Sequence, residues 1–267
     1  MIVLFWDIDG TLLTTGKAGV PAWEAAVREV TGREFQLSSI RVPGLTDYQI
    51  AVRTFEMLGL EPHEAMLRRM VTRYEEMLPS SLPQKRGRVL PNVREILDAL
   101  RGRADVRSYL LTGNTRGGAR AKLTHYDLVH YFPDGAFAED AGERSSIAAR
   151  GLDLARRAGP VGDNAAFVIG DTPHDIACAN AIGARTIAVA TGGYALDELE
   201  SHRPWRLFAE LPPPADFLSL IEQGASEPRG SRGSGGDRTA GATGGPATAA
   251  PAAGDTERPA GEAGPRP

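Results

Sequence analysis

Four short, mainly apolar runs separated by helical patterns constrain the fold of this chain more than any other feature. The runs cover Ile2 to Trp6, Val106 to Leu111, Ala166 to Ile169 and Thr186 to Val189. Apolar runs of this length are typical of strands buried on both faces. Because strands and helices alternate, the sequence predicts an α/β fold, a parallel sheet with helices on both faces.

Two of the predicted helices have clear ends. One runs from Pro91 to Leu100, with apolar residues on one face, and is stopped by Gly102. The other runs from Pro173 to Ile182 and is closed by Gly183. Proline in the first turn and glycine just beyond the last are typical of helix ends.

Residues 17–82 interrupt this alternation, because they carry only helical patterns. Three apolar stripes recur at helical spacing: Val20, Trp23, Val27 and Val30; Ile50, Phe55 and Leu58; and Met66, Met70, Tyr74 and Met77, the last ended by Pro79. Such stripes are typical of core packing. We therefore predict an α/β core formed by residues 1–16 and 83–223, with an inserted helical cap domain formed by residues 17–82.

Charge and composition argue against a nucleic-acid-binding, a membrane-spanning or a secreted protein. The net charge of −4 gives no reason to expect a nucleic-acid partner. No apolar run approaches the length of about 18 residues that spans a bilayer, and the amino terminus does not resemble a secretory signal. A single cysteine permits no internal disulfide. We therefore expect a cytoplasmic protein without membrane contact.

Residues 224–267 differ in composition from the rest of the chain. They consist of Gly, Ala, Pro, Ser, Thr and charged residues, and contain no large apolar side chain. Because such a segment buries too little apolar surface to offset the entropy of ordering, we predict a disordered tail.

The first strand is followed by two closely spaced acids. Asp7 and Asp9 lie two residues apart, so on an extended chain their side chains point to the same side. Ligands bind beyond the carboxyl ends of parallel strands, and two such carboxylates favour a divalent cation such as Mg²⁺. Gly10 permits a tight turn, after which Thr11 and its neighbours direct N–H groups towards a phosphate.

Two further strands end in polar residues. Thr112, Gly113 and Asn114 follow the second strand and could bind phosphate oxygens, although Thr-Gly is also ordinary turn chemistry. Asp171 follows the third strand and can join Asp7 at a metal, with Asp175 four residues later as a further ligand or as a group that orients water. Capping of the next helix by Asp171 or Thr172 is the alternative interpretation.

The order of these motifs resembles that of the haloacid dehalogenase-like superfamily, whose core is Rossmann-like. The resemblance covers about residues 1–222: an acid pair after strand one, a hydroxyl after a middle strand and Gly-Asp-x-x-x-Asp after a later one. The segment from Gly44 to Asp47 also resembles the cap of phosphoglycolate-phosphatase-like members.

The resemblance implies a Mg²⁺-dependent phosphatase of small phosphorylated metabolites. Asp7 would be the nucleophile that forms an aspartyl-phosphate, and Asp9 would act as general acid and then base. Asp7, the backbone carbonyl of Asp9 and Asp171 would hold Mg²⁺, while Thr112 would bind the phosphoryl group.

The family's usual Lys-Pro pair does not occur in this sequence. Arg144 stands at about the expected position, just before a predicted helix, and we favour it as the basic catalytic residue. Lys122 is the alternative, but it lies about two turns into its helix, roughly 9 Å along the axis, and must reach back.

Two other functions compete with the phosphatase hypothesis. A 2-haloacid dehalogenase of the same superfamily needs no general acid, so Asp9 argues against it. A non-catalytic phospho-acceptor or binding protein on a similar sheet would not need the long helical insert or the full set of motifs.

Overall fold

The computed structural model describes residues 1–140 and 142–227 of the chain. Its strands are β1 Ile2–Trp6, β2 Leu13–Thr14, β3 Arg88–Val89, β4 Val106–Leu111, β5 Gly135–Ala136, β6 Ala166–Gly170, β7 Arg185–Val189 and β8 Arg206–Phe208. Its α-helices are α1 Gly19–Thr31, α2 Asp47–Met57, α3 Glu64–Ser81, α4 Val93–Arg101, α5 Arg116–His125, α6 Arg144–Ala158, α7 Pro173–Ile182, α8 Leu196–Ser201 and α9 Pro214–Ser226.

Six strands form one parallel sheet in the order β5-β4-β1-β6-β7-β8. The central strand β1 pairs with β4 on one side and β6 on the other, so that Phe5 lies opposite Tyr109 and Val168. Because all six strands are parallel, their carboxyl ends lie along one edge of the sheet. This edge brings together the residues that follow β1, β4, β6 and β7.

Both faces of the sheet are covered by helices, as predicted from the sequence. Val3 and Phe5 point into a core cluster shared with α1, α2, α3, α6 and α7. Ile2, Leu4 and Trp6 point into a second cluster, shared with α4, α5 and α9. The alternation follows from the two-residue period of a strand, and explains why β1 is apolar throughout.

The segment from α1 to α3, residues 19–81, consists of these three helices, a 3₁₀ turn at Leu37–Ser39 and connecting loops, without a strand; we call it the helical segment. Helix α3 packs against α1, α2 and α5. The strands β2 and β3 pair antiparallel at the two connections to the sheet. This ribbon was not predicted, because two-residue strands carry no periodicity.

The predicted end of α3 at Pro79 is wrong, because the helix continues to Ser81. Proline removes one backbone donor and crowds the preceding turn, but here only the final turn is affected. A 3₁₀ turn, Leu82–Gln84, then takes over from the helix.

Helix α4 begins at Val93 rather than at the predicted Pro91. Asn92 has a left-handed φ of 63°, which interrupts the helical backbone, and its side-chain amide donates to the carbonyl of Leu211 at 2.7 Å. Helix α7 has the predicted bounds and is followed by Gly183, whose left-handed φ of 65° closes it. The predicted stop at Gly102 also follows α4 directly.

Helix α9 ends at Ser226, beyond the predicted start of the tail at Gly224. Gly224 packs closely, because a Cβ there would lie 2.6 Å from Trp205 and 2.8 Å from Phe167. The rest of the predicted tail, residues 228–267, lies outside the described residues. In the described part of the chain, every helix is too short or too polar to cross a bilayer.

Candidate active site

Three buried carboxylates meet at the carboxyl edge of the sheet. Asp7 follows β1, Asp171 follows β6, and Asp175 lies in the first turn of α7. One oxygen from each lies within 4.8 Å of the others. The structure therefore brings together three of the residues that the sequence predicted as metal ligands.

Asp175 is held in place by the start of α7. Its Oδ2 accepts from the N–H and the hydroxyl of Thr172, at 3.0 and 2.7 Å, while the Thr172 hydroxyl accepts from the N–H of Asp175 at 3.3 Å. This reciprocal arrangement is a capping box. Thr172 is thus the helix cap, and the carboxylate of Asp171 remains available to the site.

The carboxylates strongly perturb one another. Burial, followed by the nearby charge of Asp175, raises the pKa of Asp7 to about 7, while Arg144, and a hydrogen bond from Thr112, act in the opposite direction. Burial and the charge of Asp7 also raise the pKa of Asp171 well above its usual value. A positive charge bound at this cluster would favour the ionised carboxylates of Asp7 and Asp171.

Arg144 is the cation paired with this cluster within the described ranges. Its Nη2 lies 2.7 Å from Oδ1 of Asp175 and 3.7 Å from Oδ1 of Asp7, and its Nη1 donates to the carbonyl of Gly44 at 3.1 Å. Arg144 is the first residue of α6, and its side chain is buried. Three carboxylates thus face one guanidinium.

The cluster fits a divalent cation such as Mg²⁺. Carboxylate oxygens are the ligands that Mg²⁺ prefers, and a second positive charge would balance the excess of acid. The backbone also leaves space around Asp171: a Cβ on Gly192 would lie 1.7 Å from its Oδ2, and one on Gly10, whose φ is +85°, 2.4 Å away. Thr11 donates to Oδ1 of Asp171 at 3.3 Å.

Asp9 lies in a separate group of polar side chains. Its Oδ2 accepts from Lys122 Nζ at 2.5 Å and from the amide of Asn114 at 2.8 Å. Lys122 also donates to the amide oxygen of Asn114 at 2.5 Å. The lysine therefore reaches back from α5 to the strand edge, as its position in the sequence requires.

The polar residues after β4 lie between these two groups. The Thr112 hydroxyl accepts from the side-chain amide of Asn114 at 2.9 Å and from its N–H at 3.3 Å. Thr112, Gly113, Asn114 and Gly10 line the same cavity as Asp7 and Asp9, whereas Thr11 is buried beside Asp171.

The structure adds Asp47, Thr191 and Gly192 to the predicted site. The N–H of Asp47 donates to Gly113 at 2.9 Å, and its Oδ2 accepts from the N–H of Thr115 at 2.8 Å. The Thr191 hydroxyl donates to the carbonyl of Gly10 at 2.5 Å. Thr191 and Gly192 follow the fourth predicted strand, so the strand-edge argument could have found them; nothing in the sequence indicated the contacts of Asp47.

A cavity of about 740 Å³ lies between the sheet edge and the helical segment. Asp7, Asp9 and Asp171 line it from the sheet edge, and side chains of the helical segment complete the lining. Its size is within the usual range for small-molecule sites. The arrangement can hold a cation, present a buried carboxylate as nucleophile and present a second carboxylate as proton donor or acceptor.

Known protein sequences resemble this chain. A family model described as haloacid dehalogenase-like hydrolase matches residues 4–180, well over half of the chain. A "Probable phosphatase IndB" from Dickeya dadantii (strain 3937) is 27% identical over 203 residues, which cover 76% of this chain and 86% of that protein.

Solved structures share the fold at low identity. A predicted phosphoglycolate phosphatase from Haemophilus somnus 129pt is 18% identical with a TM-score of 0.62, over 82% of this chain and 97% of the other. CbbY from Rhodobacter sphaeroides, solved in complex with phosphate, is 16% identical with a TM-score of 0.63, over 79% and 95%. At this identity the likeness concerns the fold alone.

Proposed function

Because this chain belongs to the haloacid dehalogenase-like hydrolase family, we propose that it is a phosphatase that hydrolyses a small phosphate monoester through an aspartyl-phosphate on Asp7. The observation that carries the proposal is the cluster of Asp7, Asp171 and Asp175 next to Arg144, with Asp7 and Asp171 lining a cavity. The likeness to a probable phosphatase supports it.

In the proposed reaction, a carboxylate oxygen of Asp7 attacks phosphorus while the bond to the leaving oxygen breaks. Asp9 donates a proton to that oxygen and later removes one from the water that attacks the aspartyl-phosphate. Asp9 suits this role because its side chain is 42% exposed and borders the cavity, unlike the buried Asp7. Hydrolysis of the acyl phosphate regenerates the carboxylate of Asp7.

Asp7, Asp171 and the backbone carbonyl of Asp9 would hold Mg²⁺, which when bound supplies positive charge for the phosphoryl oxygens. Asp175 fits an orienting role, because both of its oxygens already accept hydrogen bonds, one from Arg144 and the other from Thr172. Thr112 and the backbone that follows it would bind the phosphoryl group.

We assign different roles to the two basic candidates. Arg144 contacts Asp7, so its guanidinium can stabilise negative charge on the transferring phosphoryl group. Lys122 contacts Asp9, so it orients the general acid. From the sequence alone, Arg144 and Lys122 were alternatives for the basic catalytic residue, whereas their contacts favour a separate role for each.

We further propose that the helical segment acts as a cap over the site. Three of its backbone or side-chain groups bond to the core near the reacting groups: Gly44 with Arg144, and Asp47 with Gly113 and Thr115. A closed cap excludes water from the aspartyl-phosphate until the leaving alcohol departs.

The test is release of phosphate from a panel of phosphorylated metabolites in the presence of Mg²⁺. We expect turnover of at least one ester, its loss after EDTA treatment, and its loss in Asp7→Asn with the fold retained by circular dichroism. Halide release from 2-chloropropionate, without phosphatase activity, would instead indicate a dehalogenase. Stable phosphorylation without turnover would indicate a phospho-acceptor protein.

We propose a cytoplasmic protein that acts on a small phosphorylated compound without a nucleic-acid partner. The net charge of −4 supports this proposal. The cytoplasmic location is supported by the single cysteine, Cys178, which is a buried free thiol. Its thiol donates to the carbonyl of Arg144 at 3.5 Å.

A further inference from the structure

The cavity has an apolar wall on the side formed by the helical segment. It is lined there by side chains of the helical segment: Trp23, Leu37, Ile40, Val42, Leu45 and Ile50. Trp23 is largely buried, and its indole N–H already donates to Thr54 at 3.2 Å, so the part of the ring that borders the cavity is apolar. The part of a substrate that leaves with the alcohol would therefore contact hydrocarbon.

The cations that line the cavity are mostly engaged elsewhere. Lys122 is paired with Asp9, and Arg144 with Asp175. Arg41 lies over the ring of Tyr194, at 4.9 Å from its centroid, and 3.7 Å from Glu198. Lys17, which also lines the cavity, is exposed.

These observations bear on the charge of the leaving alcohol. A carboxylate buried against the apolar wall would lose its hydration, and an exposed cation such as Lys17 would offset little of that cost, so its burial there is unfavourable. An aromatic or aliphatic group of the same size would instead gain free energy from burial. A cavity of about 740 Å³ also exceeds what a two-carbon alcohol fills.

We propose, building on the phosphatase function above, that this site selects phosphate monoesters of uncharged, largely apolar, ring-containing alcohols over short carboxylated esters such as phosphoglycolate. Specificity then comes from the apolar wall of the helical segment, and the carboxylate cluster handles only the phosphoryl group.

The first test is binding, which does not require turnover. Two non-hydrolysable phosphonates, benzylphosphonate and 3-phosphonopropanoate, are titrated into the Mg²⁺-loaded wild-type protein by calorimetry. We expect the dissociation constant of benzylphosphonate to be at least about ten-fold lower. Equal binding, or tighter binding of the carboxylated compound, would overturn the proposal.

A charge placed in the wall provides a second test. Leu45→Lys is expected to weaken benzylphosphonate binding by at least about ten-fold. It should also reduce or reverse the preference for benzylphosphonate over 3-phosphonopropanoate. The control is Met57→Lys, which adds the same charge to the helical segment on a side chain that is 55% exposed and outside the cavity lining. A Leu45→Lys protein that folds and keeps the wild-type preference would contradict the assignment of this wall.

Turnover separates this proposal from the phosphatase function. The ratio of kcat/KM for phenyl phosphate to that for phosphoglycolate is expected to exceed about ten. Efficient hydrolysis of phosphoglycolate alone would overturn the substrate class and leave the phosphatase function intact. Selective binding of benzylphosphonate without hydrolysis of any ester in the panel would support the role of the apolar wall and overturn the phosphatase function.

Discussion

The ammonium group of Lys122 lies 2.5 Å from Oδ2 of Asp9, at the edge of the cavity. The lysine side chain is 7% exposed and that of Asp9 is 42% exposed, so the cation is the buried partner and the acid faces the substrate space. Asn114 contacts both residues and fixes their relative orientation. Lys122 is therefore a positioning residue for Asp9.

Replacement of Lys122 with Met should mainly lower kcat. Without the ammonium group, Asp9 loses the contact that directs it towards the leaving oxygen, and general acid catalysis of this kind contributes about 10²–10⁴-fold. We expect a fall of at least about ten-fold in kcat with a smaller change in KM. Arg120→Met, an exposed change on the same helix, is the control. A change in KM alone would argue against the positioning role.

Arg144 should tolerate neither loss of charge nor loss of its forked shape. Arg144→Met leaves buried Asp7 and Asp175 without their cation, and we expect it to lower the free energy of unfolding by about 3–5 kcal/mol. Arg144→Lys keeps the charge but cannot bridge Asp175 and Gly44 with two nitrogens of one planar group.

The two Arg144 variants are separated by urea denaturation and steady-state kinetics. We expect Arg144→Lys to stay folded with kcat reduced by at least about ten-fold, because the phosphoryl oxygens lose a well-placed donor. Full activity in Arg144→Lys would show that a point charge is sufficient at this position.

Asp47 should make stability depend on pH. Burial raises its pKa to about 6, with Lys122 acting in the opposite direction. Because the folded-state pKa lies above the unfolded value, ionisation favours the unfolded chain, and this contribution to the free energy of unfolding falls as pH rises from about 4 to about 6. A shift of about two pKa units corresponds to roughly 3 kcal/mol.

Asp47→Asn removes this charge and keeps an oxygen that can accept from Thr115. We expect the variant to be more stable than wild type by about 2–3 kcal/mol at pH 8 and equal to it near pH 4. Urea unfolding at the two pH values measures the difference. If the Asp47→Asn variant is instead less stable than wild type at pH 8, the carboxylate charge stabilises the fold.

Gly192 should be essential for cation binding. A Cβ at this position would lie 1.7 Å from Oδ2 of Asp171, so Gly192→Ala must displace that carboxylate. Mg²⁺ is expected to raise the Tm of the wild type by mass action and to leave that of the variant unchanged. Gly102→Ala, where a Cβ meets nothing within 4 Å, should respond as the wild type does. If Mg²⁺ raised the Tm of Gly192→Ala as much as that of the wild type, Asp171 would not be a ligand of the cation.

The parallel sheet was predictable because its central strands are buried on both faces. Ile2–Trp6, which is buried throughout, and Val106–Leu111, which is apolar except for Arg107 and Ser108, have the predicted bounds. The strands β5 and β8 were missed, because two or three residues at the margins of a sheet carry too little pattern. The same limit applies to the ribbon that joins the helical segment to the core.

The convergence of Asp7 and Asp171 was also predictable, because parallel strands end at one edge. The separate roles of Lys122 and Arg144 were not predictable, because they depend on how far each side chain reaches across the site. The apolar wall of the cavity could not be predicted from the sequence either. Its residues belong to the stripes that the sequence assigned to core packing or lie between them, and periodicity does not distinguish a core from the wall of a cavity.

The most direct test of the account is chemical identification of the phosphorylated residue. Asp9→Asn is mixed with Mg²⁺ and acetyl phosphate, whose leaving group needs no proton, so that phosphorylation proceeds while hydrolysis is slowed. The acid-quenched protein is digested and analysed by mass spectrometry. We expect one phosphoryl group on Asp7; an unmodified Asp7, in a protein whose wild type releases phosphate from acetyl phosphate, would contradict the proposed mechanism.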